Sequence, residues 1–201
     1  MLKKEIEILS LFRNSIFLKT TILDISKKLK KHYPKIYDSV KELEKNKTLK
    51  IEKVGHSNLV SLLLNPQTIR NLSFLDEQEA MQKNIPNYEK LMSLKEISQY
   101  LVILTGSYAK GKATKTSDLD LVIIIPDDKN AFDIQKKLEN IFLLFHPPIH
   151  LYVFNNKDIV EMLIDKKENY GKEIFKNHII LKNAYIYYEL LKEAIENGFK
   201  G

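Results

Sequence analysis

Two short apolar runs with a polar loop between them impose the strongest constraint on the fold of this chain. The first run is Leu101-Val102-Ile103-Leu104, and the second is Leu121-Val122-Ile123-Ile124-Ile125, which ends at Pro126. Apolar runs of this length, rich in β-branched residues and closed by turn residues, predict buried strands. The loop between them therefore begins and ends at one sheet, and its polar residues are held by a buried scaffold.

Polar residues of two kinds stand at the ends of this loop. Gly106 and Ser107 follow the first strand, and such a turn offers open backbone N–H groups and a hydroxyl to a phosphate. Asp118 and Asp120 come at the start of the second strand, where alternation puts both on one face, about 6.6 Å apart. Two carboxylates so close together favour a cation between them, and Mg²⁺ suits carboxylate and phosphate oxygens. The alternative is a surface turn before a strand that merely begins with acidic residues.

The spacing Gly-Ser, ten residues, then Asp-x-Asp resembles that of the nucleotidyltransferases of the DNA polymerase β superfamily, above all their small prokaryotic members. The resemblance implies that a nucleoside triphosphate, most simply ATP, is the substrate, and that an acceptor hydroxyl attacks its α-phosphorus. It also implies that Asp118 and Asp120 are catalytic and hold Mg²⁺, with Mn²⁺ as the alternative. The implied nucleotide-binding residues are Gly106, Ser107, Gly111 and Ser117.

The next predicted strand departs from the pattern of that family. Active relatives usually carry a third carboxylate there, whereas the run Ile149-His150-Leu151-Tyr152-Val153-Phe154 contains no acidic residue. His150 takes the position of the missing carboxylate and is a candidate catalytic residue. Its imidazole suits Mn²⁺, Co²⁺ or Zn²⁺ better than Mg²⁺, it has the chemistry of a general base, and it could equally pack at the edge of the strand.

The positive charge is concentrated at the N-terminal end. Residues 1–75 contain 15 Lys and Arg against 7 Asp and Glu, a net charge of +8, whereas residues 76–201 contain 17 against 19, a net charge of −2. The whole chain has a net charge of +6. Such asymmetry is typical of a nucleic-acid-binding segment attached to a second domain.

The N-terminal segment has the pattern of three helices and a hairpin. Leu2, Ile6 and Leu9 have helical spacing, Ile16-Phe17-Leu18 predicts an extended piece, and Thr20 or Thr21 caps the second helix. A third helix begins at Pro34, and a hairpin turns at Gly55-His56-Ser57. This order resembles a winged helix-turn-helix domain, which implies contacts with duplex DNA through the third helix and the wing. The predicted DNA-binding residues are Lys35, Tyr37, Lys41, Lys45, Lys50 and Lys53, although lysines often form only a solvated face.

The expected fold is therefore α+β, with a winged helix-turn-helix domain at residues 1–75, a helical connector at 76–100 and a nucleotidyltransferase domain at 101–201. The second domain should have a mixed sheet flanked by helices. The second connector helix is predicted over Tyr88–Tyr100, and the tyrosines of the last helix, Tyr185, Tyr187 and Tyr188, are expected in core or rim packing rather than in base stacking. The chain has no cysteine, no signal-peptide pattern and no membrane-spanning run, so we expect a cytoplasmic location.

Two classes of function fit these patterns. The first is an enzyme that transfers a nucleotidyl group to a hydroxyl acceptor on a protein, a small molecule or an RNA end. The second is a DNA-binding regulator whose nucleotidyltransferase domain binds nucleotide without efficient turnover. The acceptor is not encoded in any motif, and a dimer is consistent with the common behaviour of winged-helix proteins.

Overall fold

The chain forms two compact units in a computed structural model that describes residues 3–13, 15–55 and 57–201. The first unit spans Met1–Leu75 with Lys200–Gly201, and the second spans Asp76–Phe199. Leu2 and His56, which belong to the predicted first helix and hairpin turn, lie outside the described residues. In the described part of the chain, no helix is both long enough and apolar enough to cross a membrane.

The first unit combines three helices with a small antiparallel sheet. Its strands lie in the order β1 (Thr20–Thr21), β3 (Ser57–Leu62) and β2 (Leu49–Val54), and its core includes Phe12, Ile25, Ile36 and Val40, all fully buried. Within each helix the buried residues have helical spacing, as in the pairs Ile8 and Phe12, Ile22 and Ile25, and Ile36 and Val40. This spacing explains why three amphipathic helices form and pack on one another. In chain order, the elements are α1 (Lys3–Arg13), β1 (Thr20–Thr21), α2 (Ile22–Leu29), α3 (Tyr33–Lys45), β2 (Leu49–Val54) and β3 (Ser57–Leu62).

The start of α2 decides between the two predicted caps and corrects one prediction. Thr21 is the N-cap, because its hydroxyl accepts a hydrogen bond from the N–H of Asp24 at 3.1 Å. The extended piece predicted at Ile16-Phe17-Leu18 is wrong. The N–H of Leu18 donates to the carbonyl of Ser15 at 2.9 Å, which closes a turn there, and the short strand forms instead at Thr20–Thr21.

The second unit is built on a four-stranded mixed sheet, in the order β6 (Ile149–Asn155), β5 (Leu119–Ile125), β4 (Leu101–Leu104) and β7 (Ile179–Lys182). Strands β5 and β6 are parallel, and the other neighbouring pairs are antiparallel. The predicted α+β class with a mixed sheet flanked by helices is thus confirmed. Helix α4 (Pro66–Gln82) begins in the first unit; then follow α5 (Tyr88–Met92), a 3₁₀ turn (Lys95–Ile97), β4 (Leu101–Leu104), α6 (Gly106–Ala109), β5 (Leu119–Ile125), α7 (Ala131–Phe142), β6 (Ile149–Asn155), α8 (Asn156–Ile164), α9 (Tyr170–Lys176), β7 (Ile179–Lys182) and α10 (Ala184–Glu196).

One face of this sheet is covered by apolar side chains from several helices. Strands β5 and β6 contribute alternate residues, such as Leu121 and Val153, to a core that also contains Leu138 of α7. Leu91 and Ile97, from the segment before β4, are buried in the same core. Residues 76–100 therefore share the core of the sheet. In α10, Tyr187 and Tyr188 are 5% and 1% exposed, which confirms the expectation of core packing for these two.

The helix predicted over Tyr88–Tyr100 is wrong beyond Met92. The backbone leaves the helical conformation at Leu94 and resumes only as the short 3₁₀ turn. Each of these two segments ends at a serine whose hydroxyl donates to the carbonyl oxygen three residues earlier. Ser93 donates to Lys90 at the end of α5, and Ser98 donates to Lys95 at the end of the 3₁₀ turn, each at 2.8 Å. Such side-chain bonds replace the bonds that would continue a helix, and the apolar spacing alone does not reveal them.

Candidate functional site

The polar loop between β4 and β5 is anchored where the two strands meet. Thr105 is 2% exposed, and its N–H donates to the carbonyl of Asp120 at 2.8 Å, while its hydroxyl donates to the same oxygen at 3.2 Å. Gly106 then begins the one-turn helix α6, with a φ of 65°. A Cβ at Gly106 would overlap Oδ2 of Asp120 and lie 2.7 Å from its Cγ. Only glycine leaves room for that carboxylate, so the turn and the acidic residue are one packed assembly.

Asp118 and Asp120 converge on His150. Nε2 of His150 lies 3.5 Å from a carboxylate oxygen of Asp118, and Nδ1 lies 3.6 Å from one of Asp120. The parallel register of β5 and β6 causes this arrangement, since Asp120 is directly opposite His150. The three side chains are partly open to solvent, at 38%, 28% and 61% exposure for Asp118, Asp120 and His150. The structure thus brings together all three residues that the sequence singled out as catalytic.

The donor set of this site suits a hard cation only in part. Two carboxylates are the kind of ligand that Mg²⁺ prefers, and Mg²⁺ usually completes its shell with phosphate oxygens and water. Over residues 3–13, 15–55 and 57–201, no group of three or more His, Cys, Asp and Glu side chains is arranged to hold a metal ion. A metal at Asp118 and Asp120 would therefore depend on oxygens supplied by a substrate.

The predicted nucleotide-binding residues fall into two groups. Gly106 and Ser107 start α6 beside Asp120, and the hydroxyl of Ser107 has no hydrogen bond to any described residue. Ser117 instead braces the loop, because its hydroxyl accepts a hydrogen bond from the N–H of Thr114 at 2.8 Å. Gly111 lies after the end of α6 with a φ of 64° and open space where a side chain would be, so it serves as a turn. Of these four residues, Gly106 is the one that packs against a carboxylate, that of Asp120, and Ser107 follows it in α6.

The lysines of the loop are not equivalent. Nζ of Lys110 lies 2.7 Å from a carboxylate oxygen of Glu173 in α9, and the hydrogen bond from Lys110 lowers the pKa of Glu173. Lys112 and Lys115 are exposed, and neither has an ion pair with a described residue. The Lys110–Glu173 pair links the loop to α9, whereas the other two lysines face solvent.

Sequence reasoning missed the aromatic residues beside this site. The hydroxyl of Tyr170 lies 3.1 Å from that of Thr105, and the Tyr170 ring contacts the ring of Tyr152 with 4.9 Å between centroids. Burial raises the pKa of Tyr170, which keeps its hydroxyl protonated. Tyr152 follows His150 by two residues, so strand alternation could have placed it on the same face. Tyr170 lies 50 residues after Asp120 and carries no such signal.

The predicted DNA-binding residues lie on α3 and on the β2–β3 hairpin. The five lysines are exposed and Tyr37 is partly buried. Two of the lysines are engaged locally: Lys41 pairs with Glu44 at 2.9 Å, and Lys50 pairs with Glu52 at 2.6 Å. The other three have no ion pair with a described residue; they are Lys35, Lys45 and Lys53.

Comparisons with known proteins agree with the geometry of the second unit. Residues 89–195, about half of the chain, match the nucleotidyltransferase domain family. A putative protein adenylyltransferase of Methanocaldococcus jannaschii is 33% identical over 75 residues, which cover 36% of this chain and 76% of that protein. No solved structure gave a significant match. The family match begins before β4 and ends within α10, so it includes the loop, both carboxylates and His150. This chain therefore belongs to the nucleotidyltransferase domain family.

Proposed function

We propose that this protein transfers a nucleoside monophosphate, most simply AMP from ATP, to a hydroxyl acceptor. The observation that carries the proposal is the packing of the Gly106 turn on Asp120, with Asp118 and His150 on the same side of the sheet. That arrangement supports a phosphate-binding role for the turn, beside carboxylates that suit a metal ion. The relative from M. jannaschii, whose name is that of a protein adenylyltransferase, supports a protein as one class of acceptor.

Each residue has a task that follows from its position. Gly106 and Ser107 bind the outer phosphates through backbone N–H groups and the free hydroxyl. Asp118 and Asp120 would hold Mg²⁺ or Mn²⁺, which would supply positive charge to neutralise the phosphates. Thr105 fixes the turn to the backbone of Asp120, so that phosphate site and carboxylates keep a constant separation.

His150 replaces the third carboxylate in this scheme. Its imidazole lies opposite Asp120 and is more exposed than either carboxylate, so it is the most accessible of the three groups to an acceptor hydroxyl. We assign it to the proton of that hydroxyl, as a general base. A role as a ligand of a softer ion such as Mn²⁺ is distinguished from this one by the metal dependence of the rate.

A second function is supported by the first unit. The order of its elements and the free lysines Lys35, Lys45 and Lys53 support a winged helix-turn-helix domain that binds duplex DNA. In that case the second unit either modifies a target at a DNA site or senses nucleotide without turnover.

Incubation of the full chain with ATP labelled at the α-phosphate tests the first proposal, with Mg²⁺ or Mn²⁺ present. Transfer of label to an acceptor and release of pyrophosphate are the expected results, and both should be lost in Asp120→Asn. The full chain could instead bind ATP but release no pyrophosphate in either metal, even when a cell extract supplies acceptors. That result would favour the regulator. Absence of binding of any nucleoside triphosphate would refute both the transferase and the nucleotide sensor.

A further inference from the structure

Three aromatic side chains, which we call the aromatic cluster (Tyr152, Phe154 and Tyr170), lie beside the site. Tyr152 and Phe154 are on the same face of β6, and Tyr170, the first residue of α9, packs on both. The ring centroids of Tyr170 and Tyr152 are 4.9 Å apart at an interplanar angle of 49°, and those of Tyr170 and Phe154 are 6.1 Å apart. Such tilted contacts are favourable for aromatic pairs and restrict how the rings move.

Two links connect the aromatic cluster with the proposed phosphate and metal residues. Tyr152 is two residues after His150, so it lies on the same face of β6 at about 6.6 Å along the strand. On the other side, the hydroxyl of Tyr170 is 3.1 Å from that of Thr105, the residue immediately before Gly106. The aromatic cluster therefore borders the site from the strand and from the turn at the same time.

The members of the aromatic cluster differ in how much of each side chain is exposed, and this difference indicates different roles. Phe154 and Tyr170 are partly buried, and Tyr170 is fixed by its hydrogen bond, so these two support the cluster. Tyr152 differs from these two, because 40% of it is exposed. Its neighbours along the strand, Leu151 and Val153, alternate with it and are buried on the opposite face. A large ring held in place by a second ring, yet open to solvent beside a charged site, has the properties of a stacking surface for a flat ligand.

We propose that Tyr152, held by Tyr170, stacks on the nucleobase of the nucleotide whose phosphates bind at Gly106 and Ser107. The inference rests on the proposed function and adds a base-binding residue to it. A base is favoured over an acceptor group because the aromatic cluster offers a π-face close to the phosphate turn. Purines have the larger stacking surface, so ATP and GTP should bind more tightly than CTP and UTP.

The test compares two ligands that differ in having a base. Equilibrium binding of ATP and of inorganic triphosphate, both with Mg²⁺, is measured for the full chain and for Tyr152→Ala, Tyr152→Leu and Tyr152→Phe. The alanine and leucine variants should bind ATP about 10-fold or more weakly, and the phenylalanine variant should bind as the parent does. Inorganic triphosphate should bind equally to all four proteins, which also shows that the site is folded.

Tyr185→Ala provides a matched control, because Tyr185 is also 40% exposed. Tyr185 lies two residues after Asn183, whose side-chain amide donates to the carbonyl of Tyr100, just before β4 begins. Gly106 follows the opposite end of β4, so this control residue is next to the end of the strand away from the site. This variant should bind both ligands as the parent does.

Three results overturn the inference, and they separate it from the proposed function. Unchanged ATP binding by Tyr152→Ala removes the base contact but leaves the proposed function standing. An equal loss of ATP and inorganic triphosphate binding means that Tyr152 supports the site as a whole rather than the base. Failure of the parent protein to bind either ligand overturns the proposed function and the inference together.

Discussion

Gly106 and Asp120 occupy adjoining space, so that any side chain at position 106 would displace the Asp120 carboxylate from its place. A side chain there would lie 2.7 Å from Cγ of Asp120, and the backbone φ of 65° would be strained for any L-residue with a Cβ. Gly106, which the sequence motif predicts to bind phosphate, is therefore also the residue that lets the Asp120 carboxylate approach the turn.

The first prediction is that Gly106→Ala abolishes Mg-ATP binding and destabilises the fold. Moving the Asp120 carboxylate and adopting a left-handed backbone should together cost about 1–3 kcal/mol of unfolding free energy. Thermal denaturation and titration calorimetry measure the two effects.

Gly55→Ala is the control for backbone strain alone. Gly55 has a φ of 58° but nothing within 4 Å of the added Cβ, so this variant should lose some stability and keep full ATP affinity. Normal ATP binding by Gly106→Ala would show that the contact with Asp120 has no bearing on the site.

The second prediction concerns the carboxylates. Asp120→Asn should reduce Mg²⁺-dependent ATP affinity at least about 10-fold, because the amide is a poor ligand and carries no charge. Its unfolding temperature should be equal to or higher than that of the parent, since repulsion between Asp118 and Asp120 is relieved. Calorimetric titration and thermal denaturation test both parts.

The same substitution at Asp128 is a suitable control. Asp128 has a side chain that is 75% exposed and lies 4.0 Å from Lys129, outside the site. Asp128→Asn should leave ATP affinity unchanged. If Asp120→Asn binds Mg-ATP as tightly as Asp128→Asn does, the metal assignment fails.

The third prediction uses the pairing of Asp120 with His150. The parent protein should release pyrophosphate slowly with Mg²⁺, because no third carboxylate completes the site. With Mn²⁺ the rate should be similar where His150 is a general base and faster where His150 is a metal ligand, since an imidazole binds Mn²⁺ better than Mg²⁺. His150→Asp should raise the rate with Mg²⁺ by restoring an oxygen ligand opposite Asp120. Initial rates in the two metals measure this.

His150→Ala distinguishes the roles of the imidazole. A general base should be worth about 10²- to 10⁴-fold in rate in both metals, whereas a metal ligand should matter mainly with Mn²⁺. If His150→Asp gains nothing and His150→Ala equals the parent, His150 has no part in the reaction.

Local sequence patterns predicted the centre of the site because strand geometry fixes it. The alternation along β5 and the equivalent position on β6 bring Asp118, Asp120 and His150 together, and both strands are recognisable from their apolar residues. Pairing of β7 with β4 and the contact of Tyr170 with Thr105 depend on how distant segments pack, for which one sequence holds no periodic signal.

Helix ends were predicted where side-chain chemistry decides them and missed where apolar spacing misleads. Thr21 caps α2 through Asp24, as the near capping box indicates. In contrast, Leu91, Leu94 and Ile97 have the spacing of one continuous helix, yet the serines at 93 and 98 end the local helical segments. The winged helix-turn-helix assignment and its DNA contacts stay a prediction.

The fourth prediction tests those DNA contacts and separates free lysines from paired ones. If the first unit binds duplex DNA, the affinity of the full chain should fall steeply with salt, because lysines that contact phosphates release counterions. Lys35→Gln and Lys45→Gln should each reduce the slope of log affinity against log salt by about 0.9 for one lost phosphate contact. Fluorescence anisotropy with a labelled duplex at several salt concentrations measures the slope.

Lys41→Gln is the matched comparison on the same helix. Lys41 already pairs with Glu44 at 2.9 Å, so the carboxylate offsets part of its positive charge before DNA arrives. Its removal should therefore change the slope less than removal of Lys35 does. Equal effects of all three substitutions would indicate a diffuse electrostatic attraction instead of defined contacts. Binding that is absent, or that does not depend on salt, would exclude a DNA-binding role for these lysines and direct the search to a protein partner of the first unit.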